Sequence, residues 1–330
     1  MTSEFGNLAG RTALITGGGR GIGQAIALKL GRAGAKVLVN DFDAEPAKAT
    51  VEIIRESGGE ADVFIGDVRE DNFGDRFIQH AVATCRSVDI IINNAGYTRD
   101  AVIQKMSDAE WREILDVHLT APFRILRAAQ PVFKQQAAAD AGAGRRLVRK
   151  VVNVSSISGL FGIAGQSNYS SAKAGLIGLT QVLAKEWGRY GVTVNCVAFG
   201  LIGTRLGTIK SSTTRVRIGG EDVSVGMNSD LHKDLQSRIP LGRVGTVEQY
   251  IFSALQNRTI LVGRQYCAVA VLRRFSIGLR SIAISEAVAV VARSLRAATT
   301  EARRSQRAPV RRIQPAMATS FLGGSPTSRR

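Results

Sequence analysis

With 330 residues, 45% of them hydrophobic, the chain is long enough to bury one full α/β core and still carry an extension. Its cysteines, Cys85, Cys196 and Cys267, are odd in number and lack metal-ligand spacing, which argues for a reducing, cytoplasmic setting and against a metal; no apolar run suits a membrane span or a signal core. The net charge of +17 would ordinarily raise nucleic acid or an anionic membrane as a partner, but +12 of it falls in residues 250–330, where 14 Arg stand beside two acids and no Lys.

From Leu8 to about Asn195, short apolar runs alternate with amphipathic stretches, the pattern of a doubly wound parallel sheet with helices on both faces. Strands are expected at 12–16, 36–40, 62–66, 89–92 and 150–154, with a sixth at 193–197. They are short and rich in Val or Ile, as strands buried on both faces are. Helices are expected near 22–33, 44–57, 71–86, 108–136 and 168–190. Residues 203–239 are polar, carry Gly219 and Gly220 and lack periodicity, so they read as a loop or lid over a substrate pocket.

The first strand runs into Thr16, Gly17, Gly18, Gly19, Arg20, Gly21, Ile22 and Gly23, directly before a helical pattern. Gly17 permits a tight turn, Gly21 lets the backbone approach a pyrophosphate and Gly23 allows close helix packing, while the helix N-terminus favours the anion. A plain strand-to-helix connection is the alternative. About 20 residues on, the second strand ends in Asn40 and Asp41, where an acid accepts hydrogen bonds from the hydroxyls of an adenosine ribose. That favours NAD. NADP stays open, because Arg20 would offset part of the repulsion between Asp41 and a 2′-phosphate. The competing reading of Asp41 is a solvated loop acid.

Tyr169 and Lys173 are four residues apart in a helical pattern and share one face. An ammonium near a phenol stabilises the phenolate and lowers the tyrosine pKa from about 10, as a general acid/base acting on an alcohol or ketone requires. Thirteen residues before Tyr169, Ser156 follows a strand, which puts a hydroxyl at a carboxyl end of the sheet, where open α/β folds bind ligands.

Together the glycine turn at 16–23, Asp67 with Val68, the run Asn93, Asn94, Ala95, Gly96, and Ser156, Tyr169 and Lys173 resemble, in order and spacing, the short-chain dehydrogenases/reductases. The resemblance covers about residues 8–249 and implies a Rossmann fold, a hydride transfer with NAD or NADP, and homo-oligomers as is usual in that family. It further implies that Tyr169 is the acid/base and that Lys173 holds the nicotinamide ribose. By the same resemblance Ser156 binds the substrate oxygen. Gly17, Arg20, Gly21, Ile22, Gly23 and Asp41 then hold the cofactor with Asn94, Ala95 and Gly96 in its cleft and Asp67 and Val68 at the adenine.

Two positions depart from the pattern. His118 stands where the family usually carries Asn, and reads either as a proton relay member or as an ordinary helix residue. Phe199 stands where most relatives have Pro, in a loop that faces the nicotinamide, and an aromatic can serve as its wall. The stretches 152–162 and 239–246 look most like 3-oxoacyl thioester reductases and 3-hydroxyacyl dehydrogenases, which implies an acyl-thioester substrate. The run Arg145, Arg146, Arg149, Lys150 reads as a solvated loop, with an acyl carrier or coenzyme A phosphates as the alternative.

After Gln249 the family's ending is absent, and Arg, Ala and Ser dominate. Reading the permitted codons one frame over, from Tyr250 to Leu272, restores an SGQ and a closing GG at the expected spacing. Residues 250–330 are therefore expected to be a frame-shifted tail, disordered over 301–330, and loss of the final strand would bare a sheet edge. The expectation is an NAD(P)-dependent oxidoreductase for a secondary alcohol and ketone. A catalytically impaired nucleotide-binding product is the alternative, and a basic nucleic-acid binder through the tail ranks third, because Tyr266, Phe275 and Phe321 are the tail's few aromatics for stacking past residue 253.

Overall fold

The computed structural model describes residues 7–247, apart from 206, 210–214, 219–220, 225 and 240, together with 269–271. Its strands β1 (Thr12–Thr16), β2 (Lys36–Asp41), β3 (Ala61–Ile65), β4 (Ile90–Asn93), β5 (Arg149–Ser156) and β6 (Val192–Phe199) pair in parallel in the order β3-β2-β1-β4-β5-β6. The order reverses between β1 and β4, and the gap beyond the carboxyl ends of those strands is where such sheets bind ligands. Each strand lies within two residues of its expected span.

Alternation along the strands explains why helices cover both faces. Leu14, Leu38, Ile91, Val151 and Val194 point to one side, where they pack with Phe73, Phe77, Ile125, Phe133 and Trp187. Those partners come from α3 (Phe73–Cys85), α5 (Ala121–Gly142) and α7 (Ser167–Trp187). Ala13, Ile15, Val37, Val39, Ile92 and Val152 point to the other side, against Ile26 and Leu30 of α1 (Gly21–Arg32) and Val51 and Ile54 of α2 (Ala44–Glu56). Burying each large apolar side chain contributes about 1.5–3 kcal/mol. Among the described residues, no helix is long and apolar enough to cross a membrane.

Four features differ from the sequence reading. The single helix expected at 108–136 begins as α4 (Asp108–Leu115), passes through a π-helical turn at Asp116–Thr120, and continues as α5. Such turns are one-residue insertions that re-aim side chains, and here the turn carries His118. The region 203–239 is not wholly loop. It contains the antiparallel pair β7 (Arg215–Ile218) and β8 (Glu221–Ser224), separated in sequence by two glycines, the composition that two-residue hairpin connections favour, and then α8 (Ser229–Ser237).

Arg149, read as part of a solvated run, is 3% exposed. It is drawn in by buried carboxylates, with Nη2 2.8 Å from Asp140 and Nε 3.6 Å from Asp89. Finally, β9 (Val269–Val271) pairs in parallel with β6 along Cys196–Ala198, so that stretch of the edge is covered rather than bare. The rest of the tail, including the expected disorder over 301–330, lies outside the described residues.

Candidate active site

At the switch between β1 and β4 the glycine turn bends back on the sheet. Gly17 has φ +63, and a Cβ there would stand 2.8 Å from the Ala95 Cα, so the turn and the strand that follows β1 in the sheet approach as only glycine allows. The Asn94 side chain ties them, donating to the carbonyls of Thr16 at 3.1 Å and Gly17 at 3.0 Å. No side chain caps α1, and its first turn holds no acid, which leaves its N-terminal dipole available to an anion.

The cleft above this turn has a volume of 370 Å³, and its lining brings together all but one of the site residues expected from sequence: Gly17, Arg20, Gly21, Ile22, Asp41, Asp67, Val68, Asn94, Ala95, Gly96, His118, Ser156, Tyr169 and Lys173. Gly23 instead supports the turn from beneath, since a Cβ there would collide with the Gly17 carbonyl.

At the β2 end, Asp41 is 8% exposed and accepts N–H bonds from Gly19 at 3.0 Å and Asp43 at 3.2 Å. Burial raises its pKa, and those two backbone donors oppose the shift. Arg20 pairs with Asp43 at 2.6 Å rather than with Asp41. Asp67 is clamped by Arg69, at 2.9 Å from Nε and 2.6 Å from Nη2. Arg69 then reaches Glu113 at 3.3 Å, and Glu113 also accepts from the Tyr97 hydroxyl and, at 3.1 Å, from Arg99. Sequence reading missed this network because its members lie in the loop after β3, the loop after β4 and α4, and share no local pattern.

At the opposite end, the half-buried Tyr169 faces Lys173 one turn along α7. Burial pushes the Tyr169 phenol up to about 12, and the Ser156 hydroxyl pulls against that rise. Lys173 is 4% exposed, and burial pushes its ammonium down to about 8. Its Nζ donates to the Val154 carbonyl at 2.6 Å. The expected lowering of the tyrosine by lysine is therefore not found in this arrangement, because the ammonium is held by backbone while burial governs the phenol.

Ser156 accepts the Ser158 N–H at 3.1 Å and donates to the Ser158 hydroxyl at 3.2 Å. Ser158 in turn donates to Gln166, whose amide donates to Asp100. His118 is 3% exposed, donates Nε2–H to the Tyr97 carbonyl at 2.7 Å, and sets its ring edge against Tyr169 at 4.9 Å between centroids. That bond fixes the tautomer with a bare Nδ1, which has no partner among the described residues. Burial and the nearby Lys173 charge hold His118 well below its ordinary pKa, so it is neutral. Phe199, buried at the end of β6, forms part of the wall. Among the described residues no His, Cys, Asp or Glu cluster suits a metal.

The residues present suit a dinucleotide, with a glycine cradle, an uncapped helix start and a buried acid at the end of β2 along one cleft. Comparison with known proteins agrees. The short chain dehydrogenase family model matches residues 11–214. The chain is 33% identical over 252 residues to the 3-oxoacyl-acyl-carrier-protein reductase FabG of Chlamydia trachomatis, covering 76% of this chain and 90% of that protein. It is 35% identical over 243 residues to the enzyme of that name from Pseudomonas aeruginosa, covering 74% and 87%. In structure it resembles a Beutenbergia cavernae protein assigned as an NAD(P)-dependent gluconate 5-dehydrogenase with NADP bound, with a TM-score of 0.62, 30% identity and coverage of 76% and 89%. The chain belongs to the short-chain dehydrogenase family, oxidoreductases on a Rossmann fold that bind NAD(P).

Proposed function

We propose that the protein interconverts a secondary alcohol and a ketone, most specifically a 3-hydroxyacyl and a 3-oxoacyl thioester, with NAD as the preferred cofactor. The observation that carries this reading is the convergence of Ser156, Tyr169 and Lys173 on the cleft that also contains the glycine turn and Asp41. The acyl-thioester substrate rests on the curated reductases at 33% and 35% identity. The buried Asp41 carboxylate supports NAD, because a 2′-phosphate beside it would meet like charge.

When bound, the nicotinamide exchanges a hydride with the substrate carbon. The protein's part is to orient the substrate oxygen and to manage its proton. The Ser156 hydroxyl, itself oriented by Ser158, holds that oxygen. The Tyr169 phenol, protonated at neutral pH, gives its proton to the oxygen in the reducing direction and takes it back in the other. Lys173, one turn along α7 with its Nζ steadied by the Val154 carbonyl, would hold the nicotinamide ribose beside Tyr169.

The test is oxidation of NADH and NADPH by the purified protein with 3-oxoacyl thioesters, with Tyr169→Phe in parallel. Turnover that is faster with NADH and disappears in Tyr169→Phe is expected. A folded protein that binds dinucleotide but turns over simple ketones and no thioester would remove the substrate assignment. Equal turnover by Tyr169→Phe would remove the assignment of the acid/base.

A further inference from the structure

Arg205 is a cation of the cleft that none of these roles uses. It stands on a strap that follows β6 and crosses back toward the glycine turn. The strap is pinned on both sides of Arg205: Thr204 N–H donates to the Ile202 carbonyl at 2.8 Å, and Gly207 N–H donates to the Thr204 carbonyl at 2.9 Å. Gly203 N–H donates to Gly245 at 2.9 Å and Gly245 N–H to Leu201 at 3.1 Å, fastening the strap to a second segment. A Cβ built on Gly21 would meet the Thr204 methyl at 3.6 Å, so the strap lies directly against the turn.

The charges at this end are unevenly matched. Arg20 is paired with Asp43 at 2.6 Å, and each Asp41 oxygen accepts a backbone N–H. The Arg205 side chain lines the same cleft, and among the described residues it has no ion pair or side-chain hydrogen bond. Partial burial and the like charge of Arg20 both push it below its ordinary pKa, while Asp41 and Asp43 act the other way. An arginine on a hydrogen-bonded strap that lines the same cleft as Arg20, with its fork unused among the described residues, is arranged for an anion that enters the cleft.

We propose that Arg205 is a cofactor contact that binds a phosphate group of the dinucleotide, acting with Arg20 from across the cleft. The proposal rests on the dinucleotide reading above and adds a residue to it. A strap residue that grips the cofactor also couples the segment after β6 to cofactor occupancy, since the same strap carries Leu201 and Ile202 into the wall of the cleft.

Calorimetric titration of the full-length chain tests this without turnover, using NADH, NADPH and unphosphorylated adenosine as probes. Arg205→Gln is expected to weaken both dinucleotides about tenfold, with adenosine unchanged and with a shallower dependence on salt. Arg205→Lys is expected to recover part of the loss. Equal losses assign the contact to the diphosphate, and a larger loss for NADPH assigns it to the 2′-phosphate. Because among the described residues the side chain has no ion pair or hydrogen bond to lose, the melting temperature is expected to stay at the wild-type value, which separates a lost contact from a lost fold. Wild-type affinity of Arg205→Gln for both dinucleotides overturns the proposal. A wild-type chain that binds neither dinucleotide overturns the underlying cofactor reading, and this proposal with it.

Discussion

Lys173 Nζ lies 5.5 Å from the centroid of the Tyr169 ring and spends its hydrogen bond on the Val154 carbonyl, 2.6 Å away. The pair shares a helix face, yet the ammonium is anchored to the end of a strand. The two groups therefore shift in opposite directions: burial takes the lysine down to about 8 and the tyrosine up to about 12.

This opposition sets a pH signature for stability. Between about 8 and 10.5 the unfolded chain holds a lysine proton that the folded chain has released, so stability rises with pH through that window. Tyr169 works the other way, but only between its ordinary 10 and about 12. Urea unfolding from pH 8 to 10 is expected to show the wild type gaining up to about 2 kcal/mol relative to Lys173→Met. Parallel curves for the two proteins would mean that Lys173 is not buried as a charge.

Tyr169→Phe removes the proposed proton donor and keeps the ring. It is expected to lower kcat/KM by about 10²–10⁴-fold, with calorimetric affinity for NADH within about twofold of wild type. A loss of affinity equal to the loss of rate would instead make Tyr169 a binding residue.

Gly96 and His118 are sterically coupled, because a Cβ on Gly96 would collide with the imidazole ring. Gly96→Ala is expected to cost about 1–3 kcal/mol by overpacking. In a His118→Ala background the same substitution is expected to cost much less. A thermal or urea double-mutant cycle reads this coupling directly, and additive effects would show that the ring can move aside.

Asp140 and Asp89 flank the buried Arg149, and Asp140 carries the shorter contact, at 2.8 Å. Asp140→Ala leaves a buried guanidinium under-compensated and is expected to cost about 3–5 kcal/mol. Arg149→Met combined with Asp140→Leu removes both charges and is expected to recover most of that loss. Equilibrium unfolding of the three proteins checks the order. A single Asp140→Ala variant as stable as wild type would mean that the cluster is solvated.

The frame-shift reading of the tail makes a prediction of its own. The coding DNA across residues 249–272 is expected to spell, one frame over, the SGQ and paired glycines that the family carries. Codons that do not spell them would make the Arg-rich ending the intended one.

Local sequence already located strands β1 to β6 and many of the residues that line the cleft. Buried parallel strands need short runs of Val and Ile, a close turn beneath a phosphate needs glycine, and a shared helix face needs a spacing of four, so the sheet, the glycine turn and the Tyr169–Lys173 pair are all written within a few residues of themselves. Tertiary structure decided what those parts do to one another. His118 became a neutral ring pressed against Gly96 because a π turn re-aimed it, and Arg149 became an interior ion because Asp89 and Asp140 arrive from elements far apart in the chain. Lys173 turned to the Val154 carbonyl, and Arg205 came to stand near Arg20 across 185 residues of sequence. Those outcomes depend on burial and on charges brought together by the fold, and neither leaves a periodic trace in the residues that take part.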